Sequence, residues 1–232
     1  MLFGLFYYDW TILLVLPALI ISIWAQIKVS RTYEHYSKLF VGSRMTGAEA
    51  ARRVLDSAGL HHVEIERIGG HLTDHYDPRK NIIRLSESVF DSPSAAAIGV
   101  AAHEAGHAMQ YAKGYAPIKL RSAILPVTRY GSILAIPLFL IGLLFANYSL
   151  AVVGILLYST IALFQLLTLP VEFNASARAL ETLRTNSILT GDELEASRKV
   201  LSAAALTYVA ALLTSLLTIL RLLVILGGRN RR

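Results

Sequence analysis

The chain has 232 residues, of which 54% are hydrophobic, and its formal net charge is +6. A mean hydropathy of +0.51 is too high for an ordinary soluble protein, so the composition indicates a membrane protein. Cysteine is absent, which excludes disulfide frameworks and thiolate metal sites. Any bound metal must therefore be held by His, Asp or Glu side chains.

Four segments are long and apolar enough to cross a bilayer about 30 Å thick. We predict transmembrane spans at approximately 10–27, 131–148, 150–169 and 206–226, with a polar break at 147–149. The first segment could instead be a cleaved signal peptide. It lacks a basic n-region and a small-residue cleavage site, so we interpret it as a retained anchor.

Lysine and arginine residues predict the orientation of these spans. Residues 28–121 hold 13 of them and residues 178–199 hold 4, whereas the 147–149 break holds none. Because basic loops remain on the cytoplasmic side, we predict that the N-terminus and the 147–149 break lie outside. If the fourth segment crosses the membrane, the C-terminal "GGRNRR" places three arginines on the outer side, against this rule. Either the tail is tolerated there, or the last helix lies partly in the interface with Arg221 extended towards water.

From the chain length we predict one membrane-embedded domain over residues 1–232. The charge pattern predicts that it lies in the cytoplasmic membrane, with residues 28–122 and 170–203 on the cytoplasmic side. The topology accounts for most of the positive charge. We therefore expect a lipid bilayer, and not nucleic acid, as a partner.

The polar regions contain signals for further helices and for a small sheet. "MTGAEAARRVLDSAG" is typical of a helix with a capping box formed by Thr46 and Glu49. "HHVEIERIGG" predicts a strand, and "HLTDHYDPRKNIIRLSE" predicts two short strands around a turn. The next helix is predicted to have Ser92 as its N-cap, Pro93 at its first position and Gly114 just past its end. The predicted fold class is a mainly α integral membrane protein with about four transmembrane helices and a small β-sheet.

The helix predicted between Ser92 and Gly114 carries three titratable groups in the sequence His103-Glu104-Ala105-Gly106-His107. Residues four apart lie on one helix face, so both imidazoles can reach a single ion at about 2.0–2.1 Å, the distance that zinc requires. Glu104 is rotated about 100° from His103 and can reach a water in an open metal position, as a general base does. As plain core residues, these groups would leave a buried carboxylate without a nearby cation, so a Zn²⁺ site is favoured.

Catalytic zinc sites generally use three protein ligands plus water, so a third ligand must come from elsewhere in the chain. Glu172 in "LPVEFNASARALETL" is the leading candidate, because it follows the third span and its helix is rich in small residues that allow close packing. Ser176, one turn further on, could hydrogen-bond a ligand. Glu172 could instead be a carboxylate favoured by a helix dipole. The other candidate ligands are Glu181, His71 and His75.

Three further residues are candidates for stabilising an oxyanion opposite the metal, namely His75, Tyr76 and Arg178. Each also has an ordinary structural interpretation, such as a cross-strand histidine or a surface arginine. The sequence leaves this choice open.

Nearly the whole chain resembles a known family. The resemblance is carried by "TGAEAARRVLDSAGL", "GHLTDHYDPRKNIIRLSESVF", "AAIGVAAHEAGHAMQYA", "LPVEFNASARAL" and "LTYVAALLTSLLTILRLL". These segments are similar to the YugP-type family of bacterial membrane zinc metallopeptidases. The layout also resembles HtpX-type and CAAX-processing membrane proteases, in which a Glu beyond two spans completes the zinc site.

This resemblance implies peptide-bond hydrolysis at a zincin-like, gluzincin core with His103, His107 and Glu172 as the zinc ligands. The broader relatives commonly have an Asp four residues after the Glu, where this chain has Ser176. That difference concerns the group behind the ligand and leaves the three ligands themselves in place.

We therefore expect a zinc-dependent metalloendopeptidase in which Glu104 takes a proton from the attacking water and delivers it to the leaving amine. The second span begins about 25 residues after His107, which predicts a site near the inner membrane surface. From this location we expect peptide or membrane-protein substrates and a role in membrane protein quality control. The edge of the hairpin at 71–85 is a candidate for binding an extended peptide.

The alternative is a non-catalytic membrane adaptor with a structural metal site. A metal transporter is disfavoured, because the apolar runs contain no acid or histidine. The sequence does not predict the oligomeric state.

Overall fold

The computed structural model of the chain describes residues 10–229. Three strands in this range form a sheet in the order β1-β3-β2, at Glu64–Ile68 (β1), His75–Asp77 (β2) and Ile82–Ser86 (β3). The helices of the described range are Ile12–Tyr36 (α1), Gly47–Ser57 (α2), Glu87–Phe90 (α3), Ala95–Ala112 (α4), Ala116–Leu144 (α5), Tyr148–Thr185 (α6) and Gly191–Arg229 (α7). The N-terminus, predicted to lie outside, and the last two arginines of the "GGRNRR" tail fall beyond this range.

Four of these helices, α1, α5, α6 and α7, are long and apolar enough to cross a membrane. Many of their large apolar side chains are exposed in the isolated chain, which is expected where lipid covers a helix; examples are Ile20, Ile133, Leu140, Leu156 and Leu223. The prediction of a mainly helical fold with four membrane-spanning helices and a small sheet is thereby confirmed.

The turn between the second and third apolar helices lies next to the predicted polar break at 147–149. Helix α5 ends at Leu144, and Ala146 in the turn adopts a left-handed φ of 53°. The Asn147 side chain then accepts a hydrogen bond from the backbone N–H of Leu150 at 3.0 Å and caps α6. The turn between the two helices therefore spans residues 145–147, with Asn147 as its polar residue.

The chain divides into two compact units. The first consists of the described residues up to 25, then 120–168, and the described residues from 207 onward; the second consists of residues 26–119 and 169–206. The second unit has nearly the ranges predicted for the cytoplasmic parts, 28–122 and 170–203. Their location on the cytoplasmic side, and the assignment of the whole chain to one domain, remain predictions.

Within the first unit, α5 and α6 approach each other through small residues. A Cβ placed on Gly154 would lie 2.6 Å from the backbone nitrogen of Phe139 and 2.7 Å from the carbonyl oxygen of Ala135. Such contacts between backbones are typical of helix pairs in membranes, where packing has no hydrophobic driving force. In the same unit, the hydroxyls of Ser22 in α1 and Thr214 in α7 are 3.1 Å apart.

Within the second unit, the small sheet and α2 pack against α4. The central strand β3 pairs parallel with β1 and antiparallel with β2. Its residues Ile82, Ile83 and Leu85 are buried, as expected for a strand that is covered by a helix. The two predicted strands of the hairpin and the strand before it are confirmed.

The loop that leads into β2 is attached to the end of β3 by Asp74. One carboxylate oxygen accepts a hydrogen bond from the backbone N–H of Ser86 at 2.7 Å, and the Ser86 hydroxyl donates to the same carboxylate at 3.0–3.1 Å. Burial raises the pKa of Asp74 above its ordinary value, although these hydrogen bonds act in the opposite direction. Asp74 therefore closes the open end of the hairpin formed by β2 and β3.

Two predicted helix starts have different outcomes. The capping box of α2 is confirmed, since Thr46 and Glu49 exchange hydrogen bonds at 3.3 and 2.8 Å. The predicted N-cap of α4 is wrong, because Ser94 and not Ser92 accepts from the backbone N–H of Ala97. The carbonyl of Pro93 instead accepts from the backbone N–H of Val41, which keeps this segment extended.

Candidate metal centre

Helix α4 presents both histidines of the HEAGH sequence on one face. The ring centroids of His103 and His107 are 4.7 Å apart and the rings are nearly perpendicular, at 81°. The helix ends as predicted, with Gly114 at φ +63° just beyond the C-cap residue Lys113. The helix around the histidines is almost entirely buried, so both imidazoles have a well-defined position.

Helix α6 brings Glu172 to these imidazoles. One carboxylate oxygen, Oε2, lies 3.2 Å from His103 Nε2 and 3.5 Å from His107 Nε2. The two helices can approach so closely because Gly106 has no side chain: a Cβ placed there would be 2.6 Å from the carbonyl oxygen of Ala175. Glu172 itself is buried, with 3% of its surface exposed.

The geometry of this cluster fits a zinc ion. Ligand atoms about 2.0–2.1 Å from a tetrahedral zinc are about 3.3 Å from one another. The two distances from Glu172 to the imidazole nitrogens, 3.2 and 3.5 Å, lie on either side of this value. Among the described residues, His103, His107 and Glu172 form a group of metal-ligating side chains. Their potential ligand atoms all lie within 4.8 Å of one another. The nitrogen and carboxylate donors are those that zinc takes in catalytic sites.

Each imidazole also has a hydrogen-bond partner on its other nitrogen. His103 Nδ1 is 3.1 Å from the hydroxyl of Ser176, as the sequence suggested. His107 Nδ1 is 3.0 Å from Oε1 of Gln110, a fully buried residue that sequence reasoning missed. The available signal was a polar amide one turn after His107 in an otherwise apolar helix.

The surroundings of His107 favour its charged form in the metal-free protein. Burial alone would lower its pKa, but the hydrogen bond with Glu172 and the negative charges of Glu104 and Glu172 together raise the pKa above its usual range. A positive charge is therefore favoured at this position. A divalent cation would satisfy the same negative groups.

Glu104 lies next to the cluster on α4 and is buried, with 8% of its surface exposed. The described residues supply neither a hydrogen-bond donor nor a Lys or Arg partner to its carboxylate. A buried carboxylate without such partners is costly unless a cation or a substrate group accompanies it. Glu104 is thus available to accept a proton.

The other candidate ligands have different partners. Glu181 is exposed and forms an ion pair with Arg184 at 2.9 Å. His71 contacts the ring of Tyr33 edge-on, with centroids 5.6 Å apart. His75 is exposed, and its Nδ1 lies 2.9 Å from the carbonyl oxygen of Thr73. These contacts account for all three without a metal.

The three oxyanion candidates also differ in their surroundings. His75 and Tyr76 form hydrogen bonds within the hairpin, the Tyr76 hydroxyl donating to Asn81 at 2.9 Å. Arg178 donates from Nε to Asn174 Oδ1 at 2.7 Å, and its guanidinium lies over the ring of Tyr115. Arg178 is therefore connected to the cluster by side chains, whereas the selection of an oxyanion-stabilising residue stays a prediction.

Comparison with known proteins agrees with this geometry. The model of a family described as "Putative neutral zinc metallopeptidase" matches residues 11–227. The chain is 49% identical, over 220 residues, to the "Putative membrane protease YugP" of Bacillus subtilis (strain 168). The aligned residues cover 94% of this chain and 98% of that protein. No solved structure matches the chain significantly. Together with its four apolar helices, these similarities identify a multi-pass membrane protein that belongs to this zinc metallopeptidase family.

Proposed function

We propose that this protein is a membrane-bound, zinc-dependent metalloendopeptidase. The proposal rests on one observation: His103 Nε2, His107 Nε2 and a Glu172 oxygen converge at the spacing of zinc ligands, with Glu104 beside them. In this proposal the three converging side chains are the metal ligands and Zn²⁺ is the cofactor.

Each residue has a separate task in the proposed reaction. A bound zinc ion would supply a Lewis acid that polarises the scissile carbonyl and makes water more acidic. Glu104 takes a proton from the attacking water and delivers it to the nitrogen of the leaving amine. His103, His107 and Glu172 hold the ion, and the buried surroundings of the cluster limit access of bulk water.

The small sheet offers a place for an extended peptide. β2 is at the edge of the three-stranded sheet, and it packs against α4, the helix that carries both histidines. The ring of Tyr76 in β2 is 5.7 Å from that of Tyr111, one turn beyond His107. We propose that the substrate adds to this edge as a further strand, so that its backbone runs along α4.

We further propose that the site faces the cytoplasm near the inner membrane surface. The basic residues of 28–121 and 178–199 support this orientation. Peptides and damaged membrane proteins are then the expected substrates, in keeping with membrane protein quality control. The alternative is an adaptor in which the metal only stabilises the fold.

A single variant separates the peptidase from the adaptor. Full-length protein in detergent, loaded with zinc, should cleave fluorescently labelled casein, and Glu104→Gln should lower the rate by about 10²–10⁴-fold while zinc stays bound. Glu181→Gln, an exposed carboxylate on α6, is the control and should leave the rate unchanged. A wild type that binds zinc without cleaving casein or a single-span membrane substrate would support the adaptor.

The orientation can be tested independently, because the chain has no cysteine. Arg79→Cys places a thiol on the exposed turn of the hairpin, and Asn147→Cys places one in the turn between α5 and α6. In intact cells a membrane-impermeant maleimide should label Asn147→Cys only. Labelling of Arg79→Cys without permeabilisation would reverse the proposed topology.

A further inference from the structure

Gln110 is a fully buried amide whose two ends both form hydrogen bonds. Its Oε1 lies 3.0 Å from Nδ1 of His107. Its Nε2 donates to the carbonyl oxygen of Val171 at 2.7 Å and to Oδ1 of Asn174 at 3.1 Å. The side chain thereby connects the histidine helix α4 with the helix that carries Glu172.

The chemistry of these neighbours fixes the direction of the amide. The carbonyl of Val171 can only accept a hydrogen bond, so the group 2.7 Å away must be the NH₂ end of Gln110. If the amide were reversed, two oxygens would face each other in a buried place, which is costly. The oxygen end of Gln110 must therefore face His107.

A second constraint gives the same direction independently. The guanidinium of Arg178 can only donate, and its Nε is 2.7 Å from Oδ1 of Asn174. The oxygen of Asn174 therefore faces Arg178, and the same oxygen is 3.1 Å from Gln110. Again only the NH₂ end of Gln110 can occupy this position.

This direction determines which nitrogen of His107 carries a hydrogen. An amide oxygen accepts only, so the group that it meets at 3.0 Å must be an N–H on Nδ1. In the neutral imidazole the lone pair is then on Nε2, the nitrogen directed at Glu172. A histidine ligand must be neutral at the nitrogen that binds a metal.

We propose that Gln110 is a positioning residue that holds His107 in the Nδ1–H tautomer, with its Nε2 lone pair directed at the metal position. The inference deepens the proposed function and depends on its zinc site. It assigns to a neutral amide the task that carboxylates and backbone carbonyls commonly perform behind zinc-bound histidines.

Two variants separate positioning from plain structural support. Gln110→Met keeps the length and apolar stem but removes the acceptor, so it should weaken Zn²⁺ binding by about 10–100-fold, as loss of an outer partner does. Gln110→Glu retains an oxygen towards His107 and should keep more of the affinity than Gln110→Met, although its second oxygen, placed against the Val171 carbonyl, should lower the unfolding temperature. Affinity is measured on metal-depleted, full-length protein in detergent, by competition with a zinc chelator, next to thermal unfolding of the same metal-free samples.

Ser197→Ala is the matched control. The buried Ser197 hydroxyl donates to the carbonyl of Ala95 in α4 at 2.6 Å, away from the imidazoles. This variant should unfold at a lower temperature with unchanged zinc affinity. Unchanged affinity in Gln110→Met, or an equal loss in Gln110→Glu or Ser197→Ala, would overturn the inference.

A measurement on the wild type covers the case in which the Gln110 variants do not fold. With ¹⁵N-labelled histidine and bound zinc, the sequence-assigned ring of His107 should show a protonated Nδ1 and a metal-bound Nε2. A metal-bound Nδ1 would refute the inference. Zinc binding with this ring assignment but without peptide cleavage would contradict the proposed peptidase and leave the role of Gln110 intact.

Discussion

The two imidazoles of the proposed metal centre are supported by side chains of different chemistry. His107 faces the oxygen of Gln110, whose direction is set twice, by Val171 and by the Asn174 pair with Arg178. His103 faces the hydroxyl of Ser176 at 3.1 Å. A hydroxyl can either donate or accept, so Ser176 does not select a tautomer of His103.

This difference divides the centre into two sides. The fixed side is His107 with Gln110 and its partners, each of which can only donate or only accept in its contact. The adaptable side is His103 with the Ser176 hydroxyl, which can rotate. Glu172 is shared, since one of its oxygens lies within 3.5 Å of both Nε2 atoms. Changes to Glu172 should therefore affect both sides, while changes behind the imidazoles should affect them unequally.

The largest effect is expected for Glu172→Ala, which removes the proposed ligand that the two sides share. Two histidines alone leave the site one ligand short, so zinc affinity should fall by more than the roughly 10–100-fold expected for an outer partner. Metal content of the purified protein measures this, with Glu181→Ala on the same helix as the control. Retention of stoichiometric zinc in Glu172→Ala would exclude Glu172 as a ligand.

A large effect is also expected for Gly106→Ala, which should move α4, and with it both imidazoles, away from Glu172. The added methyl group would lie 2.6 Å from the Ala175 carbonyl, so α4 and α6 must separate. Overpacking of this kind costs about 1–3 kcal/mol in the free energy of unfolding, and zinc affinity should fall as well. Thermal unfolding with and without zinc measures both effects.

The control for this substitution is Gly227→Ala in α7, where an added methyl group meets no atom within 4 Å. Alanine favours helix over glycine by about 0.8–1.0 kcal/mol, so this variant should be as stable as the wild type or slightly more so. An equal loss of stability in both variants would show that the contact with Ala175 is not the cause.

A smaller effect is expected for Ser176→Ala, which tests the adaptable side. Because the hydroxyl does not select a tautomer, zinc affinity should fall by about tenfold or less, the lower end of the range for outer partners. Ser176→Asp should tighten binding, since a carboxylate would fix an N–H on Nδ1 of His103. Chelator competition compares both with Gln110→Met, and a loss in Ser176→Ala that exceeds the loss in Gln110→Met would reverse the assignment of the two sides.

The smallest effect is expected for Asn174→Asp, which tests how the direction of Gln110 is set. The aspartate keeps an oxygen towards Gln110 and Arg178, and the Val171 carbonyl continues to orient the amide. Zinc affinity should stay at the wild-type value in the same competition assay. A loss as large as that of Gln110→Met would mean that the neutral amide of Asn174, rather than Val171, sets the direction of Gln110.

Features that depend on neighbouring residues were predictable from the sequence. The position of His103 and His107 on one helix face follows from helix periodicity, and the capping box of Thr46 and Glu49 follows from their spacing. The four membrane-spanning helices follow from apolar length alone. In each case the relevant interaction lies within a single element, so the residue order contains it.

Features that depend on contacts between distant segments were decided by the tertiary structure. The sequence left Glu172, Glu181, His71 and His75 as possible third ligands, and only the packing of Gly106 against Ala175 brings Glu172 to the imidazoles. Packing likewise moved the N-cap of α4 from Ser92 to Ser94, because residues 40 and 41 pair with residues 94 and 93.

The orientation of Gln110 shows the physical reason most clearly. Its spacing from His107 was visible in the sequence, but an amide has an accepting end and a donating end, and the sequence does not say which end faces which neighbour. That choice is made by the carbonyl of Val171, 61 residues away along the chain. Local order thus determined which groups could form a metal centre, and long-range packing determined which atoms of those groups face the proposed metal position.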